Sequence, residues 1–111
     1  MSSTRHRGAA VMGLSDRLPN DTVERLALLF KAFADSTRLR VLHALVRGER
    51  SVGAIADEVG ISRSAVSHQL SFLRTMRLIK GRRAGRAVYY SLDDDHVRAL
   101  LRQGLEHVLH E

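Results

Sequence analysis

From Asp21 onward the apolar positions fall on helical spacing. Val23, Leu26, Ala27, Phe30 and Ala34 recur every three or four residues, with Asp21 placed as N-cap and Glu24 three residues on, as in a capping box. Asp35 or Ser36 opens a second helix carrying Leu39, Leu42, Ala44, Leu45 and Val46, closed by Gly48. Its His43 reads as a structural histidine. Ser51 opens a short third helix with Ile55, Ala56 and Val59, stopped at Gly60. Ser62 opens a fourth, with Ala65, Val66, Leu70, Leu73 and Met76 on the inner side. The pattern then changes. Leu78 to Arg83 and Ala87 to Leu92 are β-prone runs flanking Ala84-Gly85-Arg86, a hairpin signal with glycine in the turn. Asp93 or Asp94 opens a last helix reaching about Leu109, with Val97, Leu100, Leu101, Leu105 and Val108 apolar and Gly104 permitting close backbone approach. Two short helices joined by Gly60-Ile61-Ser62 and followed by a hairpin predict a winged helix-turn-helix, mainly α with a β-hairpin wing. Residues 1–20 show no period and read as a disordered basic tail, leaving 21–111 as one domain.

Composition narrows the class. A chain of 111 residues makes one small domain with limited burial, so a homodimer is expected. There is no cysteine, which excludes disulfides, thiolate metal sites and a cysteine nucleophile. No apolar run approaches the roughly 20 residues of a membrane span, so a soluble, cytoplasmic protein is expected. The formal net charge of +6 is unevenly distributed. Residues 62–92 carry Arg63, Arg74, Arg77, Lys80, Arg82, Arg83 and Arg86 with no acid, whereas residues 93–111 are net acidic. A basic segment of this kind suits phosphate contact.

Ser62, Arg63, Ser64, Ser67, His68 and Gln69 crowd the first turns of the fourth helix. In a helix-turn-helix this is the part that meets base edges in double-stranded DNA. At least one of Ser62 and Ser64 is expected to be a capping residue. Arg82, Arg83 and Arg86 on the wing would contact the backbone or minor groove, adding affinity rather than sequence choice.

A second set lies on the last helix: Asp94, His96, His107 and His110. At 100° per residue, His107 falls roughly 20° from His96 and His110 about 40° to the other side, so the three share a face. Along the axis His96 and His107 stand about 16 Å apart, too far for one ion. Each chain therefore offers two half-sites, and antiparallel pairing of two such helices would complete both by two-fold symmetry. Each would then have one carboxylate oxygen and three imidazole nitrogens, a tetrahedral set suited to Zn(II), and also to Co(II). A zinc hydrolase is the competing reading, but four protein ligands leave no open position, so no enzyme is expected.

Ala34-Asp35-Ser36-Thr37-Arg38-Leu39-Arg40-Val41-Leu42, Ile61-Ser62-Arg63-Ser64-Ala65-Val66-Ser67-His68-Gln69-Leu70 and Gly85-Arg86-Ala87-Val88-Tyr89-Tyr90-Ser91-Leu92 together resemble the ArsR/SmtB family of bacterial metal-responsive repressors, over about residues 21–111. The resemblance implies a homodimer on an inverted-repeat operator, released by its inducer, with an efflux pump or transporter gene as the usual target. One class of the family senses through cysteines near the third helix, where this chain has Ser51. Another uses the last helix, and Asp94-Asp95-His96 with His107-Val108-Leu109-His110 matches its pattern. That class implies Zn(II), with Co(II) and Ni(II) sensors as close relatives; His6 in the tail leaves Ni(II) open. The resemblance also implies a relay from the outer nitrogen of His107 to a backbone carbonyl near Arg77. A repressor of the same type with a non-metal effector is the alternative.

Overall fold

Helix starts in this chain are set by side chains that accept otherwise orphaned amide protons. In the computed structural model, which describes residues 17–110, the elements are α1 (Asn20–Phe33), α2 (Ser36–Ala44), β1 (Arg50–Ser51), α3 (Val52–Val59), α4 (Arg63–Thr75), β2 (Ile79–Ala84), β3 (Ala87–Leu92) and α5 (Asp95–Leu109). Asp35 accepts from the Arg38 amide at 3.0 Å, Ser51 from Ala54 at 3.2 Å, Ser62 from Ala65 at 3.0 Å and Asp94 from Val97 at 3.0 Å. Each is an N-cap in extended conformation, the geometry that satisfies one free donor of the first turn. Gly60 ends α3 in the left-handed region, at φ 82°, as the turn of a helix-turn-helix requires.

The chain divides into two units, one through Lys31 and one from Ala32 onward. In the first, α1 starts at Asn20, one residue before the expected cap, with the Val23 amide bonded to the Pro19 carbonyl at 3.0 Å. Asp21 sits instead within the first turn, where its charge suits the helix dipole. Val23, Leu26, Leu28 and Phe30 remain exposed. The expected basic tail, His6 included, lies outside the described residues up to position 16.

The second unit is built on α2, α3 and α4. Val41, Leu42, Leu45, Ile55, Val66, Leu70 and Leu73 are its fully buried side chains, at the helical spacings of the sequence pattern. Two expectations fail at the margins. Ala65 faces solvent beside the buried Val66, and His43 is exposed on α2 rather than buried as a structural histidine. The helix itself stops at Ala44, and turns carry the chain to Gly48.

The expected hairpin forms, with Ala84 opposite Ala87 and Ile79 opposite Leu92, so Ala84 belongs to the strand rather than to the turn. Its two-residue loop places Gly85 at φ 63° while Arg86 keeps a negative φ, the pattern of a type II′ turn. A third strand was not legible in the sequence. β1, only two residues long, pairs Arg50 with Tyr90 and Ser51 with Tyr89, giving sheet order β1-β3-β2. The start of α5 is pinned to the unit by two contacts. The Asp93 amide donates to the Leu78 carbonyl at 2.9 Å, and Arg98 Nε to the Val46 carbonyl at 3.1 Å. No helix among the described residues is long and apolar enough to cross a membrane.

Candidate nucleic-acid interface and metal centre

The helix-turn-helix leaves one side of α4 in solvent. Ser62, Arg63, Ser64, Ser67 and His68 are exposed and Gln69 is half-buried, while Val66, Leu70 and Leu73 anchor the opposite side. Five of the six predicted reading residues are thus open to solvent. Of the two candidate capping serines, Ser62 takes the role and Ser64 does not. Arg63 has a neighbour that sequence spacing did not reveal. Its guanidinium lies over Gly53 in the first turn of α3, so close that a β-carbon built there would stand 2.7 Å from Nη2 and 3.0 Å from Cζ.

The wing arginines are not equivalent. Arg86 lies in the hairpin loop and Arg83 pairs opposite Val88, both exposed and without an ion pair among the described residues. Arg82 stands further back, opposite Tyr89, and is engaged. Its Nε and Nη2 donate to the two carboxylate oxygens of Glu49, each at 2.9 Å, and its guanidinium lies 5.5 Å from the Tyr89 ring centre. A bidentate pair of this geometry is a strong form of charge-assisted contact. The hydrogen bond from Arg82 holds the Glu49 carboxyl below its ordinary range. The sign follows: ionised Glu49 is favoured in the fold, so the clamp is intact above the ordinary carboxylate range and opens only as pH falls through the lowered value. Arg82 is thus held on the sheet through two of its five guanidinium donors.

At the start of α5, Asp94 divides its two oxygens. Oδ1 accepts the Val97 amide, and Oδ2 lies 3.6 Å from His96 Nδ1. The Val97 hydrogen bond, with the nearby His96, keeps the Asp94 carboxyl below its ordinary range. It is thus an anion at neutral pH. The His96 side chain is 97% exposed and that of Asp94 50%. At the other end, His110 Nδ1 lies 2.8 Å from the Glu106 carbonyl oxygen. A carbonyl only accepts, so Nδ1 carries the proton and Nε2 keeps the lone pair that a cation needs. His107, next to Glu106 and one turn before His110, is exposed. The donor chemistry at both ends therefore fits a divalent cation. No three such groups converge within one chain among the described residues.

Away from the histidine face, α5 leaves apolar side chains uncovered beyond its first turns. Val97 is buried, but Leu105, Val108 (59% exposed) and Leu109 (71%) are not, and nothing lies within 4 Å of a β-carbon built at Gly104. Arg77, expected as the relay partner, is the one non-glycine residue with a positive φ among those described, at 58°. It forms the bend between α4 and β2, its amide bonded to the Arg74 carbonyl at 2.9 Å. No hydrogen bond joins it to His107 in the described chain. The link that does join α5 to the end of α4 is the Asp93–Leu78 backbone bond, one residue from Asp94.

Residues 35–80 match the arsR family of bacterial regulatory proteins. A transcriptional repressor SmtB homolog of Synechocystis sp. is 49% identical over 88 residues, which are 79% of this chain and 67% of the relative, so the chain spans about two thirds of that protein. The crystal structure of the antimony-specific transcriptional repressor AntR is similar at 36% identity and TM-score 0.77, over 88% of this chain and 91% of that one. A solution structure of a homodimeric winged helix-turn-helix DNA-binding domain from Mycobacterium bovis is similar at 30% identity and TM-score 0.72, over 100% of this chain and 96% of that one. These relatives are transcriptional repressors and DNA-binding regulators rather than enzymes, and the chain belongs to the ArsR/SmtB family of bacterial winged helix-turn-helix transcriptional repressors.

Proposed function

We propose that this repressor is a cytoplasmic metal sensor: a homodimer that holds an inverted-repeat operator without metal and leaves it when Zn(II), or alternatively Co(II) or Ni(II), binds between paired α5 helices. The observation that carries the reading is the division of donors on α5. Asp94 and His96 stand together at its start, and His110 at its end has Nε2 free beside His107. Asp94 and His96 of one protomer with His107 and His110 of the partner subunit make one oxygen and three nitrogens, the borderline donor set of a closed tetrahedral site. The uncovered Leu105, Val108 and Leu109, on the side of α5 away from the histidines, leave apolar surface for a dimer to bury.

A bound cation supplies a crosslink between the two helices. The chain's own residues convert that into a change at DNA. Arg98 ties the start of α5 to the turn after α2, and the Asp93–Leu78 bond ties the residues before α5 to the start of β2, so the α5 pairing geometry sets the separation of the two reading heads. In the dimer the outer nitrogen of His107 would add a bond to the backbone at Arg77. Coupling of this kind is reciprocal: DNA must weaken metal binding by the factor by which metal weakens DNA binding. Ser62, Arg63, Ser64, Ser67, His68 and Gln69 read the major groove, and Arg83 and Arg86, with Arg82 after exchange from Glu49, hold the backbone.

The test is an operator titration with zinc, cobalt and nickel at fixed salt, with the parent and His96→Ala. The parent is expected to bind metal stoichiometrically and release DNA; the variant is expected to hold DNA and ignore metal. Release unaffected by any metal in the parent would leave a repressor with a non-metal effector.

A further inference from the structure

Beside the reading residues, α4 and β3 enclose an open concavity of about 420 Å³ lined by Ser67, Ser71, Arg74, Thr75 and Tyr90. Its make-up is specific. Ser67, Ser71 and Thr75 follow one another at four-residue spacing, so their hydroxyls form a stripe along α4. Arg74 flanks the stripe, exposed, with no ion pair or hydrogen bond to its side chain among the described residues. No carboxylate lines the space. Thr75 is oriented by donating its Oγ1 proton to the Ser71 carbonyl at 3.0 Å. Tyr90 closes the far wall, and its place there depends on Gly81: a β-carbon at Gly81 would stand 3.2 Å from Tyr90 Cε1.

Resting on the DNA-binding reading, the geometry points to this cleft as a seat for the sugar–phosphate backbone of one operator strand, with Arg74 as a phosphate contact. Three facts select that occupant. The lining offers the Ser67 and Ser71 hydroxyls as donors and one cation, which is how proteins hold phosphodiesters. The cleft runs on without a break from Ser67, a predicted reading residue, so a strand flanking the groove that α4 enters passes over it. The lining is mainly polar, with the Tyr90 ring as its one large apolar surface, which suits a phosphodiester better than a hydrophobic ligand or peptide. The contact moves the DNA footprint past the first turns of α4 to its C-terminal half, close to the Arg77 bend, where movement of α5 would be felt first.

The measurement is duplex affinity by fluorescence anisotropy across salt, for the operator and an unrelated duplex, with the parent, Arg74→Ala and Arg74→Lys. Each phosphate contact contributes about −0.9 to the slope of log affinity on log salt. Arg74→Ala should therefore weaken both duplexes to a similar degree and flatten the slope by about one. Between 50 and 200 mM salt the parent should lose about 3.5-fold more affinity than the variant. Arg74→Lys should keep the parental slope, and melting curves of all three should coincide, since Arg74 is exposed. An unchanged slope in Arg74→Ala overturns the seat while leaving DNA binding intact. A loss confined to the operator overturns it too, because that marks base reading. Binding of inorganic phosphate at the cleft with an unchanged DNA slope makes it a free-anion site and also overturns the proposal. A parent with no salt-dependent duplex binding refutes the DNA reading itself.

Discussion

Ser62 sits where two roles overlap, and substitutions there separate them. It caps α4 through the Ala65 amide at 3.0 Å, and it heads the surface assigned to base reading. Ser62→Ala removes the acceptor and leaves one first-turn donor to water. Losses of this kind run to about 1 kcal/mol, within a range of roughly 0.5–2. For a domain of this size 1 kcal/mol lowers the melting temperature by roughly 4–8 °C. Ser64→Ala, which removes no cap, should leave the melting temperature within about a degree or two, as surface changes usually do. Ser62→Asp supplies an equally good cap and an anion at a helix N-terminus, so stability should be parental or higher. The same carboxylate faces DNA phosphates, so operator affinity should fall and fall further at low salt. The assay is thermal unfolding by circular dichroism at one protein concentration, because dimerisation makes melting concentration-dependent, paired with operator binding well below the transition. A parental melting temperature in Ser62→Ala would refute the capping role. Parental DNA affinity in Ser62→Asp would refute the position of Ser62 on the DNA face.

Glu49→Gln, which frees Arg82, should tighten binding to any duplex several-fold and steepen the salt slope by up to about one; equal slopes would mean that Arg82 stays on the sheet. Because Arg82 holds the Glu49 carboxyl below its ordinary range, the clamp should persist near neutrality, and DNA affinity measured between about pH 6 and 8 should show no step from Glu49. Gly53→Ala should push the Arg63 guanidinium away from α3, weakening operator binding without lowering the melting temperature, since only the far end of a flexible side chain must move. Leu70→Ala, in the middle of the buried cluster, should cost about 2–5 kcal/mol in chemical denaturation.

Much of this was readable from the chain because it depends on near neighbours. The caps at Ser51, Ser62 and Asp94, the stop at Gly60 and the hairpin around Gly85 each involve residues two to four apart. The donor division on α5 followed from helical rotation and rise alone. What was not readable depends on residues distant in sequence. β1 is two residues long and exists through its pairing with Tyr89 and Tyr90. The Glu49 clamp on Arg82 crosses 33 positions, so a wing arginine read as free is held. The meeting of Arg63 with Gly53 arises from the angle between α3 and α4, and no periodicity encodes it. His43 misled because a histidine inside an apolar run reads as buried, whereas its place on α2 turns it outward.

The sharing of each metal site between two protomers is tested most directly with a defined heterodimer. One chain carries His96→Ala and the other His107→Ala with His110→Ala, purified by two different tags. Each variant homodimer lacks both sites. In the heterodimer one site has lost donors from both chains, and the other draws Asp94 and His96 from one chain and His107 and His110 from its partner, all intact. One zinc per heterodimer, against two for the parent dimer and none for either variant homodimer, is the expected result. No zinc in the heterodimer, or zinc retained by either homodimer, would contradict sites built across the paired helices.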